Sequence, residues 1–206
     1  EGPRLGRRHA ITTLYLQSLR ATFGLGRRAS SKVIPIGLTI LTFVPAAIQL
    51  GIAAVAANVI EVYSAENYYG FIQVTLWLFC AAVAPELVGR DLRTHTLSLY
   101  FSRSLLRRDY ALAKLAALAS AFFFLTVAPQ LVLYVGNAFA GDDTLGYMGD
   151  NWRDVPRVLV AGAGISLLFA GIGLAVASQT PRRAYSTGAL VFLFAILWVV
   201  GEIVVQ

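Results

Sequence analysis

The charged and titratable side chains of this sequence gather in one stretch, Pro85–Lys114, which carries Glu86, Arg90, Asp91, Arg93, His95, Arg103, Arg107, Arg108, Asp109 and Lys114. These groups can form ion pairs and hydrogen bonds. They are not spaced for catalysis or metal binding. His9 and His95 stand far apart with no ligand-spaced neighbours. Cys80 is the single cysteine, so there is neither a disulfide framework nor a thiolate metal set. An enzyme working within a membrane needs His, Asp or Ser groups clustered at one depth, and the sequence has no such cluster. No Gly-x-x-x-x-Gly-Lys-Ser/Thr phosphate loop occurs, and Gly162-Ala163-Gly164 lies within an apolar run rather than after a strand. Catalytic residues are therefore expected to be absent from this chain, and metal ligands too. What remains is electrostatic chemistry at the mouth of an apolar segment. Glu86, beside Pro85, would be costly if it faced lipid.

The elements that must position these charges are long and apolar. Runs without a charged side chain extend over Val33–Ile60, Asn67–Pro85, Leu115–Ala140 and Val158–Thr180, with a shorter fifth over Ala184–Gly201. A helix rises about 1.5 Å per residue, so roughly 20 apolar residues cross a hydrocarbon core about 30 Å thick. The composition agrees, with 57% hydrophobic and only 14% charged residues and a mean hydropathy of +0.67, far from the balance of a soluble domain. The expected fold is all-α, a polytopic helical membrane bundle with spans at about 33–60, 67–88, 112–137, 158–180 and 184–205. A basic N-terminal segment, 1–32, precedes this transmembrane domain of 33–206. The apolar last residues and the absence of an initial Met lead us to expect a longer chain with a sixth, returning span. The basic, amphipathic first thirty residues do not resemble a cleavable leader.

Charge sets the orientation. Arg4, Arg7, Arg8, Arg20, Arg27, Arg28 and Lys32 precede the first run, and Arg90, Arg93, Arg103, Arg107, Arg108 and Lys114 separate the second from the third. Arg182 and Arg183 separate the fourth from the fifth. Basic loops stay cytoplasmic, which predicts an N-terminus inside and Glu61–Glu66 and the loop 141–157 outside. The net charge of +6 thus marks topology and membrane lipid rather than a nucleic-acid partner.

Local patterns add detail. Ile11, Leu14, Tyr15, Leu19 and Phe23 recur at three- and four-residue steps, predicting an interfacial helix over Arg8–Phe23 with its apolar face toward acyl chains. Pro35 is expected in the first turn of its span, whereas Pro45 and Pro129 are interior and should bend theirs. Gly162, Ser166, Ala170, Gly173 and Ala177 align on one face, which suits close packing within the chain. Tyr63, Tyr68, Tyr69, Tyr134, Tyr147, Trp152 and Tyr185 fall near span ends, as interfacial anchors do. Gly141–Asp150 reads as a solvated loop, because it lacks the pattern of a calcium site. A short surface helix is expected over Asn151–Val158.

The stretch after the second span resembles the loop between the second and third spans of permease subunits in type-2 ATP-binding-cassette exporters. That family shows an acidic-basic pair, Gly-Thr-Leu, an apolar run, a Ser/Arg-Pro turn, an Arg-x-x-Tyr element and a Gly-Lys. Here Arg90-Asp91 matches the pair, Thr96-Leu97 the Thr-Leu, Leu99–Phe101 the run, Ser102-Arg103 the turn, Arg107–Tyr110 the basic-Tyr element and Lys114 the lysine. His95 replaces the usual glycine and Ser104 the usual proline. The segment Thr180–Tyr185 is also similar to the family's fourth-to-fifth connection.

The resemblance implies a permease that does not hydrolyse ATP itself. ATP and Mg would be held by a separate cytoplasmic ATPase subunit, and a second permease copy would complete the pathway. Force would enter through a coupling loop, 86–111, containing a short helix. Glu86, Arg90, Asp91, Leu92, Arg93, Thr94, His95, Thr96 and Leu97 would meet the ATPase, with Leu92 and Leu97 as apolar contacts. Arg103, Arg107, Arg108 and Lys114 form the basic inner loop. The same charges could instead be snorkelling groups at headgroup level. Read as exposed surface charges, Asp91 and Arg93 should each be replaceable by Ala with little effect on folding. The substrate-binding residues are not legible, although uncharged spans suit a drug, lipid or peptide in the bacterial cytoplasmic membrane. Two other classes fit parts of the pattern. A structural subunit would need no coupling loop, and a secondary transporter would need ionisable groups at the midplane.

Overall fold

Over its described residues each apolar run falls on one long helix, as it must where hydrocarbon offers no hydrogen-bonding partner to the backbone. The computed structural model describes residues 6–26, 30–55, 65–94, 105–140 and 144–205. Among the described residues there are seven helices: α1 Arg7–Thr22, α2 Ser30–Val55, α3 Ala65–Arg93, α4 Arg107–Ala140, α5 Thr144–Asp150, α6 Asp154–Ser178 and α7 Arg183–Val205. Five of these, α2, α3, α4, α6 and α7, are long and apolar enough to cross a bilayer. The chain is a multi-pass helical membrane protein.

Two spans overshoot. α4 has 34 residues and α3 has 29, about 51 and 44 Å at 1.5 Å per residue, against a hydrocarbon core of about 30 Å. The excess lies where their apolar runs give way to charge, at the C-terminal end of α3 and the N-terminal end of α4. The two helices thus carry a paired stem beyond the apolar layer. The short cytoplasmic helix expected after the second span is the last turns of α3, which continues unbroken through the fully buried Pro85.

The core lies between α3, α4 and α6, with α2 packed on the outside of α3 and α4 and α7 on the outside of α3 and α6. Only 11% of the apolar window of α2 and 17% of that of α7 is buried, against 61% for α3. Val33, Ile40, Val160, Leu168 and Phe192 all point outward. Such surface would be a liability in water and is what acyl chains require.

α6 comes close to its neighbours because of its small residues. Gly162, Ser166, Ala170, Gly173 and Ala177 are all buried. A Cβ added to Gly162 would lie 2.4 Å from Val127 Cγ2, and one at Gly173 would lie 2.7 Å from Cys80 Sγ. The stripe packs within the chain, as its spacing predicts.

Four local expectations need correction. The helix expected over Arg8–Phe23 forms, but its contacts advance together with those of α4: Arg7 with Asp109, Leu14 with Tyr110 and Ala113, Tyr15 with Ser120, Phe23 with Phe124. α1 therefore runs alongside the stem in the same direction, and α4 covers the face assigned to acyl chains. Its buried seam is Leu14, Ser18 and Thr22, of which hydrophobicity alone finds only the first. A turn closed by Gly24 and Gly26, both at positive φ, joins α1 to α2. α2 starts at Ser30, so Pro35 is interior rather than in the first turn. The third correction is on the opposite end, where Thr144–Asp150 is helical and α6 begins at Asp154, so Asn151–Val158 is no separate helix. The last is Tyr68, which is fully buried rather than interfacial. Its hydroxyl donates to the Thr42 carbonyl, next to the carbonyl that Pro45 deprives of a donor.

Candidate functional site

Helical geometry splits the charges at the end of α3 between two flanks. Residues four and seven apart share a face, so Glu86 and Arg93 lie together while Leu87 and Asp91 face another way. On the second flank Lys114 reaches across from α4. Its Nζ is 2.8 Å from Asp91 Oδ2 and donates to the Leu87 carbonyl at 3.1 Å. Tyr110, one turn earlier on α4, donates its hydroxyl to the same carboxylate oxygen at 2.7 Å. The ammonium also lies 5.5 Å from the Tyr110 ring centre. Lys114 and Asp91 are 7% and 14% exposed at their side chains. A buried ion pair survives only when its remaining donors and acceptors are met, and here a carbonyl and a phenol meet them. This is an internal clamp that holds α3 to α4.

On the first flank, Glu86 Oε2 lies 3.5 Å from Arg183 at the start of α7 and 3.8 Å from Arg93. Arg93 Nε donates to the Gly89 carbonyl, which fixes the guanidinium along its own helix. Gly89 faces the carbonyls of Thr180 and Pro181 across ordinary contact distance, bringing the α6–α7 connection onto α3. Below Glu86 opens a cavity of about 250 Å³ between the end of α1, the start of α2, α3 and α7.

A third pair ties α1 to the tip of the stem. Arg7 forks onto Asp109, with Nε at 2.8 Å and Nη2 at 2.7 Å from its two oxygens. Asp109 also accepts the Leu106 N–H at 3.1 Å, satisfying one of the donors that a helix start leaves open. The Asp109 hydrogen bond, and then its Coulombic attraction, raise the Arg7 guanidinium above its ordinary pKa. The pair stays charged throughout the physiological range.

The structure thus separates the residues that the sequence grouped. Asp91 and Lys114 face inward and join. Glu86 turns to the cavity side. Leu92 is half-buried against the bundle's own core. Arg90, Arg107 and Arg108 are exposed, Arg93 is exposed beside Glu86, and Thr94 donates to the Arg90 carbonyl at 2.9 Å. His95, Thr96, Leu97 and Arg103 lie outside the described residues. The snorkelling picture therefore fails for Asp91, as does the expectation that Asp91→Ala is harmless: its carboxylate is the counter-charge of a buried ammonium. Sequence reasoning missed Asp109, Arg183 and Arg7 as partners. Its one usable signal was Tyr110 and Lys114 at a four-residue step, with Asp91 as one of three acids between two apolar runs.

At the opposite end the polar residues have local partners. Tyr134 donates to the Met148 carbonyl at 3.2 Å, and Arg157 pairs with Asp154. Basic side chains of α1, α3, α4 and α7 thus converge on one end of the bundle. No family model matches the chain, and no curated protein and no solved structure matches it either.

Proposed function

We propose that this chain is the transmembrane permease subunit of an ATP-driven exporter. It sits in the bacterial cytoplasmic membrane with its basic end inside, pairs with a second permease copy and is driven by a separate ATPase subunit. The observation that carries the reading is the clamped stem. Two helices overshoot the hydrocarbon, are locked to each other by Asp91, Lys114 and Tyr110, and carry at their tip the segment whose sequence resembles a coupling loop. A lever needs this stiffness, because a push at the tip moves both spans only if the helices cannot slide past one another. In this arrangement the inward residues build the lever, and the outward arginines, Arg90 and Arg108 among them, meet the partner. The cargo is a hydrophobic or amphipathic molecule, in keeping with spans that carry no charge at the midplane.

The experiment is to reconstitute the chain with an ATP-binding-cassette ATPase, sought first among the neighbouring genes, and to compare Arg90→Glu/Arg108→Glu with Arg153→Glu/Arg157→Glu. The first pair should lose ATPase retention or uncouple hydrolysis from transport while keeping the fold, and the second should do neither. Wild-type coupling in the first pair would show that Arg90 and Arg108 do not meet the ATPase, whereas transport without any ATPase would make the protein a secondary transporter and no transport with or without one would make it a structural subunit. Orientation is tested separately. Cysteines at Arg103 and Asp143 should label from opposite faces of sealed cells, and external labelling at Arg103 would reverse the topology. Native Cys80 is fully buried and should stay unlabelled until the protein is denatured.

A further inference from the structure

We propose that the cavity under Glu86 binds the headgroup of an aminophospholipid, a primary ammonium next to a phosphate. The proposal does not depend on the exporter reading. The cavity, of about 250 Å³, is lined by Thr22, Ser31, Ile34, Pro35, Glu86 and Arg183, among others. That volume is near the low end of small-molecule sites, ~300–1,000 Å³, and suits a headgroup whose chains lie elsewhere.

The lining chemistry is asymmetric. Three of these residues bring oxygen acceptors. Glu86 supplies a carboxylate. Thr22 spends its hydroxyl proton on the Ser18 carbonyl at 2.9 Å and keeps its lone pairs. The Ser31 carbonyl precedes Pro35 by four residues, and proline has no N–H to give it. That carbonyl is turned toward the end of α1, since a Cβ on Gly24 would lie 2.6 Å from it. Acceptors carried by three residues that line one small space suit a group with three N–H donors, which an ammonium has and a quaternary ammonium lacks. Arg183 adds a guanidinium to the same wall, with Arg93 on the other side of Glu86. Two arginines about one carboxylate leave positive charge for a phosphate diester, which a guanidinium binds in forked fashion.

The location completes the fit. The cavity opens at the charged end of the apolar runs, at the depth of lipid headgroups. Ile34 lines it and is itself half-exposed, and Val33 beside it is two-thirds exposed. Acyl chains can leave the cavity along this outward face of α2. Basic pockets between helices on the cytoplasmic side are a general form of headgroup site. The carboxylate beside the arginines is what turns this one toward a zwitterion.

The test is native mass spectrometry of the detergent-purified chain, supplied with equal amounts of phosphatidylethanolamine, phosphatidylcholine and phosphatidylglycerol carrying identical chains. Phosphatidylethanolamine should be retained roughly tenfold over phosphatidylcholine, the ratio expected from one charge-assisted hydrogen bond. Glu86→Gln should bring that ratio close to one, and Arg183→Ala should weaken all three lipids. Arg157→Ala at the other end should change nothing. Pro35→Ala carries the test if Glu86→Gln unfolds, because it gives the Ser31 carbonyl a helical donor and should lower the same ratio without touching the ion pairs. Equal retention of the three lipids by the wild type, or an unchanged ratio in Glu86→Gln or in Pro35→Ala, would overturn the proposal. So would full displacement by soluble phosphoethanolamine at millimolar concentration, which would assign the pocket to a free headgroup.

Discussion

Asp91→Ala should destabilise the solubilised protein by about 3–5 kcal/mol, the range for removing one partner of a buried ion pair. The change would take the counter-charge from the Lys114 ammonium, which is only 7% exposed. It would also remove the carboxylate oxygen that accepts the Tyr110 hydroxyl at 2.7 Å. Arg93→Ala gives the contrast. That side chain is 43% exposed and its contact with Glu86 is long at 3.8 Å, so its loss should stay within about 1 kcal/mol, as for surface pairs. Removing both charges should recover most of the stability, because an apolar pair of similar volume often does as well as a buried salt bridge. Midpoints of SDS-induced unfolding, followed by circular dichroism for Asp91→Ala, Arg93→Ala and Asp91→Ala/Lys114→Met, make the comparison. Equal midpoints for the two single variants would mean that the clamp does not hold α3 to α4.

Gly173→Leu and Gly162→Leu are the second large effect. Their closest neighbours are short or stiff side chains: Cys80 Sγ at 2.7 Å and Ala84 Cβ at 3.1 Å for one, Val127 Cγ2 at 2.4 Å for the other. None can swing away like the end of a long side chain, so α6 must back off from α3 or α4 and surrender contacts along its length. Overpacking costs about 1–3 kcal/mol where the backbone can adjust, and more where it cannot. The same helix supplies its own controls. A Cβ on Gly164 or Gly171 would meet nothing within 4 Å, so Gly164→Leu and Gly171→Leu should fall within about 0.5 kcal/mol of the parent, as surface changes do. SDS unfolding of the four variants should sort them two against two. A different grouping would show that α6 is turned otherwise in the bundle.

The sequence by itself determined the architecture and the location of the charge. Uncharged apolar runs of 18 to 28 residues leave the backbone no stable form in hydrocarbon except a helix, and over its described residues each run appears as one. The placement of fifteen of the seventeen basic residues before the first run, between the second and third and between the fourth and fifth puts the Arg side chains of α1, α3, α4 and α7 at one end. Small residues at steps of three and four on α6 named its packing face, because close approach requires small side chains wherever the partner is.

Tertiary structure decided which neighbour each side chain meets. Glu86, Arg90, Asp91 and Arg93 read as one charged cluster in a linear string. A helix distributes them around its axis, and the depth of burial then depends on what lies opposite. Lys114, twenty-three residues further on, makes Asp91 an interior residue, whereas Arg183 makes Glu86 the rim of a cavity. α1 shows the same limit: its apolar spacing foretold a helix with a buried face, but acyl chains and α4 are alike to a periodicity argument. The N-terminal part of α4, from Asp109 to Phe124, offers α1 a protein surface to lie against. Periodicity reports how a segment divides its own faces. The identity of the neighbour is a long-range property, fixed by helix lengths, crossing points and the few polar groups that must find partners once water is gone.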